Sequence, residues 1–217
     1  MPIVMNFNNA GSTSDGKIDG VGTIMGGVYG RLRISGVCTV EGDLEAESLD
    51  IDGVCTCTGS VEAKSFDCDG VLTIEGNMRV GTADIDGVVT VKGSKIEADE
   101  IKCDGVVNVE GEISADVINA NGKINAEAIV GDRIKIKSYW RTRLGRLLLL
   151  IGEKVNTKQS VVDLIEGTTV ELRGVRAKSV NGHDVSIGRN CEIGRVDASG
   201  RLYIDPLSRV EEVVTAS

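Results

Sequence analysis

From residue 36 onward the chain alternates apolar and polar residues. Cys38 and Val40 enclose Thr39, Leu44 and Ala46 enclose Glu45, and Leu49 and Ile51 enclose Asp50. This period of two is the strand period, since successive strand side chains point to opposite faces. No stretch of this region keeps a helical stripe. The pattern predicts three short strands per unit, with corners near glycines.

The unit repeats. "DGVCTCTG" from Asp52, "DGVLTIEG" from Asp69, "DGVVTVKG" from Asp86 and "DGVVNVEG" from Asp104 are near copies, and "DGVGTIMG" from Asp19 and "SGVCTVEG" from Ser35 are weaker ones. The opening glycines are Gly20, Gly36, Gly53, Gly70, Gly87, Gly105 and Gly122, evenly spaced to within a single residue. Aligned on them, one column holds Cys38, Cys55, Leu72, Val89, Val107 and Ile124. Another holds Leu49, Phe66, Ala83, Ile101 and Ile118. Like lies over like, which predicts an all-β fold, a β-solenoid (β-helix) of about 17 residues per coil. One coil alone buries too few small side chains to offset the entropy of fixing its backbone, so each coil needs its neighbours. The Asp-Gly corner suggests glycine's access to positive φ and an Asp side chain bonded to the turning backbone.

The period blurs between Arg133 and Lys158, which hold eight Lys/Arg and one acid. The chain's net charge is −9, so the remainder carries −16. Gly131 and Gly167 are 36 residues apart, which fits either two coils of 18 or a looped-out insertion. Beyond it Val185, Ile187, Ile193 and Val196 recur one coil later as Leu202, Ile204, Val210 and Val213. The expected organisation is a tail over 1–17, a solenoid of about seven coils over 18–138, an irregular basic and apolar segment or looser coil over 139–160, further coils over 161–213 and a tail over 214–217.

Net charge argues against a nucleic-acid binder that neutralises phosphates. The opening "MPIVMNFNNAGSTSDG" lacks the basic start and apolar run of a secretory signal, and "LLLLI" at Leu147–Ile151 is too short to span a bilayer. A cytoplasmic protein is expected.

At these coils the chain resembles the bactofilins, bacterial polymer-forming cytoskeletal proteins. The likeness rests on the "DGVxTVxG" phrases, on Leu44-Glu45-Ala46 and Val61-Glu62-Ala63 between them, and on the tail from Ile165 to Asp205, which is similar to that of Firmicute members. It covers residues 18–213. The resemblance implies a right-handed three-sided β-helix and filaments formed without nucleotide. It also implies roles in cell shape, motility or the positioning of wall enzymes, often at the membrane. The partners it implies are further copies of the chain, the membrane surface and cell-wall enzymes.

A solenoid has two ends with unpaired backbone groups and an apolar core, which natural proteins normally cover. No amphipathic capping helix is legible at either end. End-to-end polymerisation is therefore expected, through Val21, Ile24 and Val28 at one end and Leu202, Ile204, Val210 and Val213 at the other. Trp140, Arg141, Arg143, Arg146, Leu147 and Leu148 are the expected contacts with anionic lipid or a partner's acidic face. A monomeric adaptor rod is the rival reading.

Catalytic chemistry finds little support. Five of the six cysteines, Cys38, Cys55, Cys57, Cys68 and Cys103, fall in inward columns and read as small apolar residues; Cys191 is harder to place. Cys55-x-Cys57 lacks the usual spacing of a zinc pair. The column Asp52, Asp69, Asp86 and Asp104 offers carboxylates to a cation, against a plainer role in turns. The outward column Thr39, Thr56, Thr73 and Thr90 matches ordinary β-propensity better than an ice-binding face. His183 is the only histidine, and "IGRNCEIG" from Ile187 is the only hint of the six-residue repeat of solenoid acyltransferases. No cofactor, metal or catalytic residue is expected.

Overall fold

The alternation becomes burial wherever the chain forms strands. In Val54–Cys57 the side chains of Cys55 and Cys57 point inward and are buried, while Val54 and Thr56 face out. Val61–Cys68 repeats the alternation with one break, at Lys64 and Ser65, where the coil turns its second corner. The structure, a computed structural model, describes residues 3–5, 14–138 and 159–215. These residues form no helix. Their strands pair in parallel to make a β-solenoid of about 11 turns with ~17 residues per turn.

The columns read from the sequence are the pairing registers of the structure. Cys38 lies beside Cys55, Cys55 beside Leu72, Leu72 beside Val89, and Val89 beside Val107, each one turn on. Leu49, Phe66 and Ala83 stack likewise, continuing through Ile101 to Ile118. The core is thus a single stack, mainly of Val, Ile, Leu, Ala and Cys, running the length of the rod, with Phe66 its largest fully buried side chain and Tyr29 packed into it near the N-terminal end.

The corner glycines act differently from the sequence expectation. Among the described glycines, φ is positive only at Gly27, Gly42 and Gly174. The Asp-Gly corners instead need glycine because successive turns touch there. A Cβ at Gly53 would sit 1.9 Å from the Gly36 carbonyl oxygen, and one at Gly70 would sit 1.9 Å from that of Gly53. The same clash recurs at Gly87, Gly105 and Gly122. The aspartates do not follow the expectation either: Asp52 binds Arg33 and Ser35, and Asp104 accepts from the Asn121 amide at 2.9 Å.

Side-chain bonds to turning backbone lie at the other corner, just after the second glycine. There Asp43 Oδ1 accepts from Ser60 N (2.7 Å), Ser60 Oγ from Asn77 N (3.1 Å), and Asn77 Oδ1 from Lys95 N (3.1 Å). Each coil's polar side chain therefore satisfies a backbone group of the next coil.

The two solenoid parts are continuous. Gly131 pairs with Gly167, Ile134 with Val170 and Ile136 with Leu172, so the 36-residue step is one turn and not two. Residues 139–158 lie outside the described residues. Ser138 and Ser160 frame them, their hydroxyl oxygens 2.6 Å apart. Ser160 is the only fully buried polar side chain among the described residues, and it sits between Ile124 and Val175 in an apolar column. It is satisfied because Ile124 N donates to its Oγ at 3.0 Å while the Ser138 hydroxyl bonds it from the other side. Past this point the step is shorter, from Val170 to Val185, and then regains the length of the earlier coils, from Val185 to Leu202.

The strand ladder also exceeds the expected bounds. Ser14–Ile18 pairs with the stretch from Tyr29 to Ile34, with Gly16 and Ile18 pointing inward, so ordered pairing begins before residue 18. Ile3–Met5 pairs through its backbone with Gly22, Thr23 and Ile24. At the far end Arg209–Thr215 runs past residue 213.

The corner contact has a measurable consequence. Gly70→Ala is expected to lower the melting temperature, by about 1–3 kcal/mol in stability or more, because the added methyl meets backbone that cannot step aside. Gly20→Ala, with open space around its Cβ, is the matched control and is expected to change it little. Thermal unfolding followed by circular dichroism reads both.

Candidate functional site: the ends of the stack

At the C-terminal end the last turn repeats the one beneath it. Leu202 pairs with Val185, Ile204 with Ile187, Val210 with Ile193 and Val213 with Val196. The lower four are buried. Leu202, Ile204 and Val210 are only half-buried, and Val213 is 48% exposed where Val196 is at 0%. The chemical type is unchanged between the layers, and so is the inward direction of the column. The difference is that no further layer of described residues lies over the last one. Four apolar side chains and the outer edges of Leu202–Ile204 and Arg209–Thr215 form an open end face.

Two further apolar residues are exposed near this end. Leu207 lies on the turn from Asp205 to Ser208, and Tyr203, which aligns with the outward Ser186, lies on the side of the rod. The turn is held by Asp205 Oδ1, which accepts from Leu207 N at 2.9 Å, and by Ser208 Oγ, which accepts from Cys191 N at 2.9 Å. Sequence reasoning missed both residues, although "DPLS" after the last inward isoleucine marks a turn that ends on an apolar tip.

The N-terminal end is built otherwise. Ile24 is buried, with the backbone of Met5 paired beside it. Val21 and Val28 are exposed, but they align with the outward residues Val37 and Glu45 and so lie on the sides of the rod. The three residues read from the sequence as one end contact therefore do not form an end face. The outermost strands here are Ile3–Met5 and Ser14–Ile18. The basic candidates Trp140, Arg141, Arg143, Arg146, Leu147 and Leu148 lie outside the described residues.

The remaining candidates resolve into structural roles. All six cysteines are free and buried, Cys191 among them. Burial pushes the Cys68 and Cys103 thiols up to about 12, and it also raises Cys57 and Cys191. The Cys38 and Cys55 thiols lie on adjacent turns, and their interaction lowers the first and, together with burial, raises the second. On the Asp-Gly corner Asp86 is raised by partial burial and then by neighbouring Asp84 and Asp104, and Asp67 by partial burial and then by Asp69 and Asp50. Lys102 answers Asp84 at 2.8 Å, so part of the charge is balanced across coils. Among the described residues no group of three or more His, Cys, Asp or Glu is arranged to hold a metal ion.

An open groove of about 460 Å³ runs over the stacked Gly131, Gly167 and Gly182, flanked by Asp116, Asp132, Glu166 and His183. His183 Nδ1 lies 3.0 Å from Ser199 Oγ. Asp184 does not orient this pair, because its carboxylate is engaged by Arg201 at 2.7 Å, which holds it down at about 2. The histidine is exposed at a corner, as its place in "NGHD" suggests.

No family model matches the chain, and no solved structure gives a significant match. It is similar to the uncharacterized protein YhbE of Bacillus subtilis (strain 168), with 42% identity over 65 residues. The match covers 30% of this chain and 26% of that protein. The likeness therefore concerns about a quarter of the relative's length.

Thiol chemistry tests the packing of the core. At pH 8 a thiol held at about 12 is ionised in about one molecule in 10,000, and burial blocks access as well. Native protein is expected to react negligibly with a thiol reagent over minutes, and denatured protein to titrate all six cysteines. Rapid native labelling would mean that the coils open.

Proposed function

We propose that this chain is a bactofilin-like scaffold, non-catalytic, whose rods join end to end into filaments without nucleotide. The observation that carries the reading is the open apolar layer of Leu202, Ile204, Val210 and Val213, continuous with the core beneath it. Covering such a layer with another layer of the same kind removes apolar area from water and completes the backbone ladder. A second rod supplies both at once. The resemblance of the repeated coils to bactofilins supports the same reading.

Val210→Arg puts a charge on that face while leaving the layers below intact. Negative-stain microscopy at physiological salt is expected to show filaments for the wild type and short single rods for the variant, with unchanged circular dichroism. Filaments of equal length in both would remove the C-terminal face from the contact. A wild type that stays a single rod at every concentration would instead support a monomeric adaptor.

The same reading puts the filament at a membrane surface. Among the described residues no helix is long and apolar enough to cross a bilayer. The contact is instead assigned to Trp140, Arg141, Arg143, Arg146, Leu147 and Leu148, whose charges suit anionic headgroups and whose apolar side chains suit the interface. Sedimentation with phosphatidylglycerol vesicles is expected to carry the protein down at low salt and not with phosphatidylcholine vesicles. The triple variant Arg141→Glu, Arg143→Glu, Arg146→Glu is expected to stay in the supernatant. Equal binding of both proteins would place the lipid contact elsewhere.

A further inference from the structure

One side of the rod carries a second regular surface. Val21, Val37, Val54, Val71, Val88 and Val106 lie beside one another in register, one per turn, on outward strand positions, with Val88 itself buried. Two residues on, a threonine column runs from Thr23 to Thr90, also outward, and Asn108 extends it. Outward strand positions ordinarily carry polar side chains, so an apolar outward column breaks the alternation. It is most accessible over the first three turns, where Val21, Val37 and Val54 are 72%, 49% and 46% exposed. The strip of valine and threonine contains no charge over six turns. Its flanks are net acidic: Asp52, Asp69 and Asp86 lie at the near corner, where Arg33 pairs with Asp52, and Glu41, Thr58, Glu75, Lys92 and Glu110 lie beyond the threonines, where Lys92 pairs with Glu75 at 2.7 Å.

We propose that this strip is a lateral contact by which one rod lies against a second copy of the same chain. The proposal rests on the filament reading above for its strength, though not for its geometry. Three observations select the occupant. The strip repeats with every coil, about 4.8 Å, so a partner that meshes along its whole length needs the same repeat, which a second solenoid has. Its small β-branched side chains are short enough for two such strips to interdigitate. Its net acidic rims disfavour an anionic membrane surface or a nucleic acid, and a short peptide lacks the coil repeat needed to mesh along the whole strip.

The size of the strip sets how the contact behaves. Five steps of about 4.8 Å by a width of about 12 Å give at most roughly 300 Å² per rod, since Val88 is buried. Two such patches bury about 600 Å², below the roughly 1,200 Å² of a stable isolated interface. Single rods therefore pair weakly, and filaments, which repeat the patch once per subunit, pair firmly. The rims stay net acidic after Arg33 and Lys92 are counted, and they repel one another when two strips meet, so added salt strengthens the contact.

The test compares wild type with the double variant Val37→Arg, Val54→Arg by negative stain from about 0.05 M to about 0.5 M sodium chloride. Wild-type filaments are expected to gather into ribbons or bundles as salt rises, and the variant to give single filaments of the same length. Bundles that persist in the variant, wild-type bundles that dissolve with salt, or wild-type filaments that stay single throughout would each overturn the lateral contact. If no filaments form, the end-to-end reading fails separately, and the strip is read on single rods. Val54→Cys with a bis-maleimide at high protein concentration is then expected to give a covalent dimer that Val37→Arg suppresses several-fold. Equal cross-linking with and without Val37→Arg would overturn the proposal.

Discussion

The whole molecule depends on the close approach of successive turns. At the Asp-Gly corner the carbonyl of one glycine occupies the space where the next coil's Cβ would be. That contact is possible only without a side chain, and it brings the coils near enough for parallel hydrogen bonding around the turn. Everything else follows from the spacing it permits. Inward side chains stack on their own kind, and outward charges meet opposite charges one turn away, as in Lys64 with Glu47 and Lys92 with Glu75. Such exposed pairs add little stability individually. Their use is to stop a ladder of like charges from forming where the register would otherwise impose one.

The same spacing explains how the rod tolerates an insertion. A chain can leave the stack only at a corner, and it must return to the same height. Ser138 and Ser160 meet at such a corner, beside the Asn121 and Gly122 corner of the preceding coil, and the buried Ser160 hydroxyl replaces an apolar side chain in order to bind the Ile124 backbone. The 36-residue turn is therefore a local event, and Ile134 over Val170 continues the core as though nothing intervened. An end of the rod obeys the opposite logic. Its final layer is made of the same residue types as every other layer, so what covers it must resemble another layer. This gives the C-terminal face and a second rod their fit in the assembly reading.

Much of this fold was legible in the chain. The inward columns were visible because two periods, that of the strand and that of the coil, agree at Cys38, Cys55 and Leu72. Other features were hidden for physical reasons. The work done by the corner glycines depends on the neighbouring coil, so a single copy of "DGVLTIEG" suggests a φ argument where a close approach decides. Two ordinary coils and one long turn place the same glycines in register, and only Ser160 in an apolar column hinted at the difference. Leu202 and Val213 look in sequence like Val185 and Val196; their exposure is a property of position in the stack. The valine column escaped notice because Val-Val and Val-Leu pairs in "DGVVTV" and "DGVLTI" conceal which residue points out.

Orientation of the strands within an assembly tests the central claim most directly. If rods join end to end, every strand in the filament runs across its axis, and the coils repeat along it. X-ray fibre diffraction from aligned filaments is then predicted to place a strong reflection at about 4.8 Å on the meridian. The same reflection on the equator would show that rods lie across the filament, and would contradict the account.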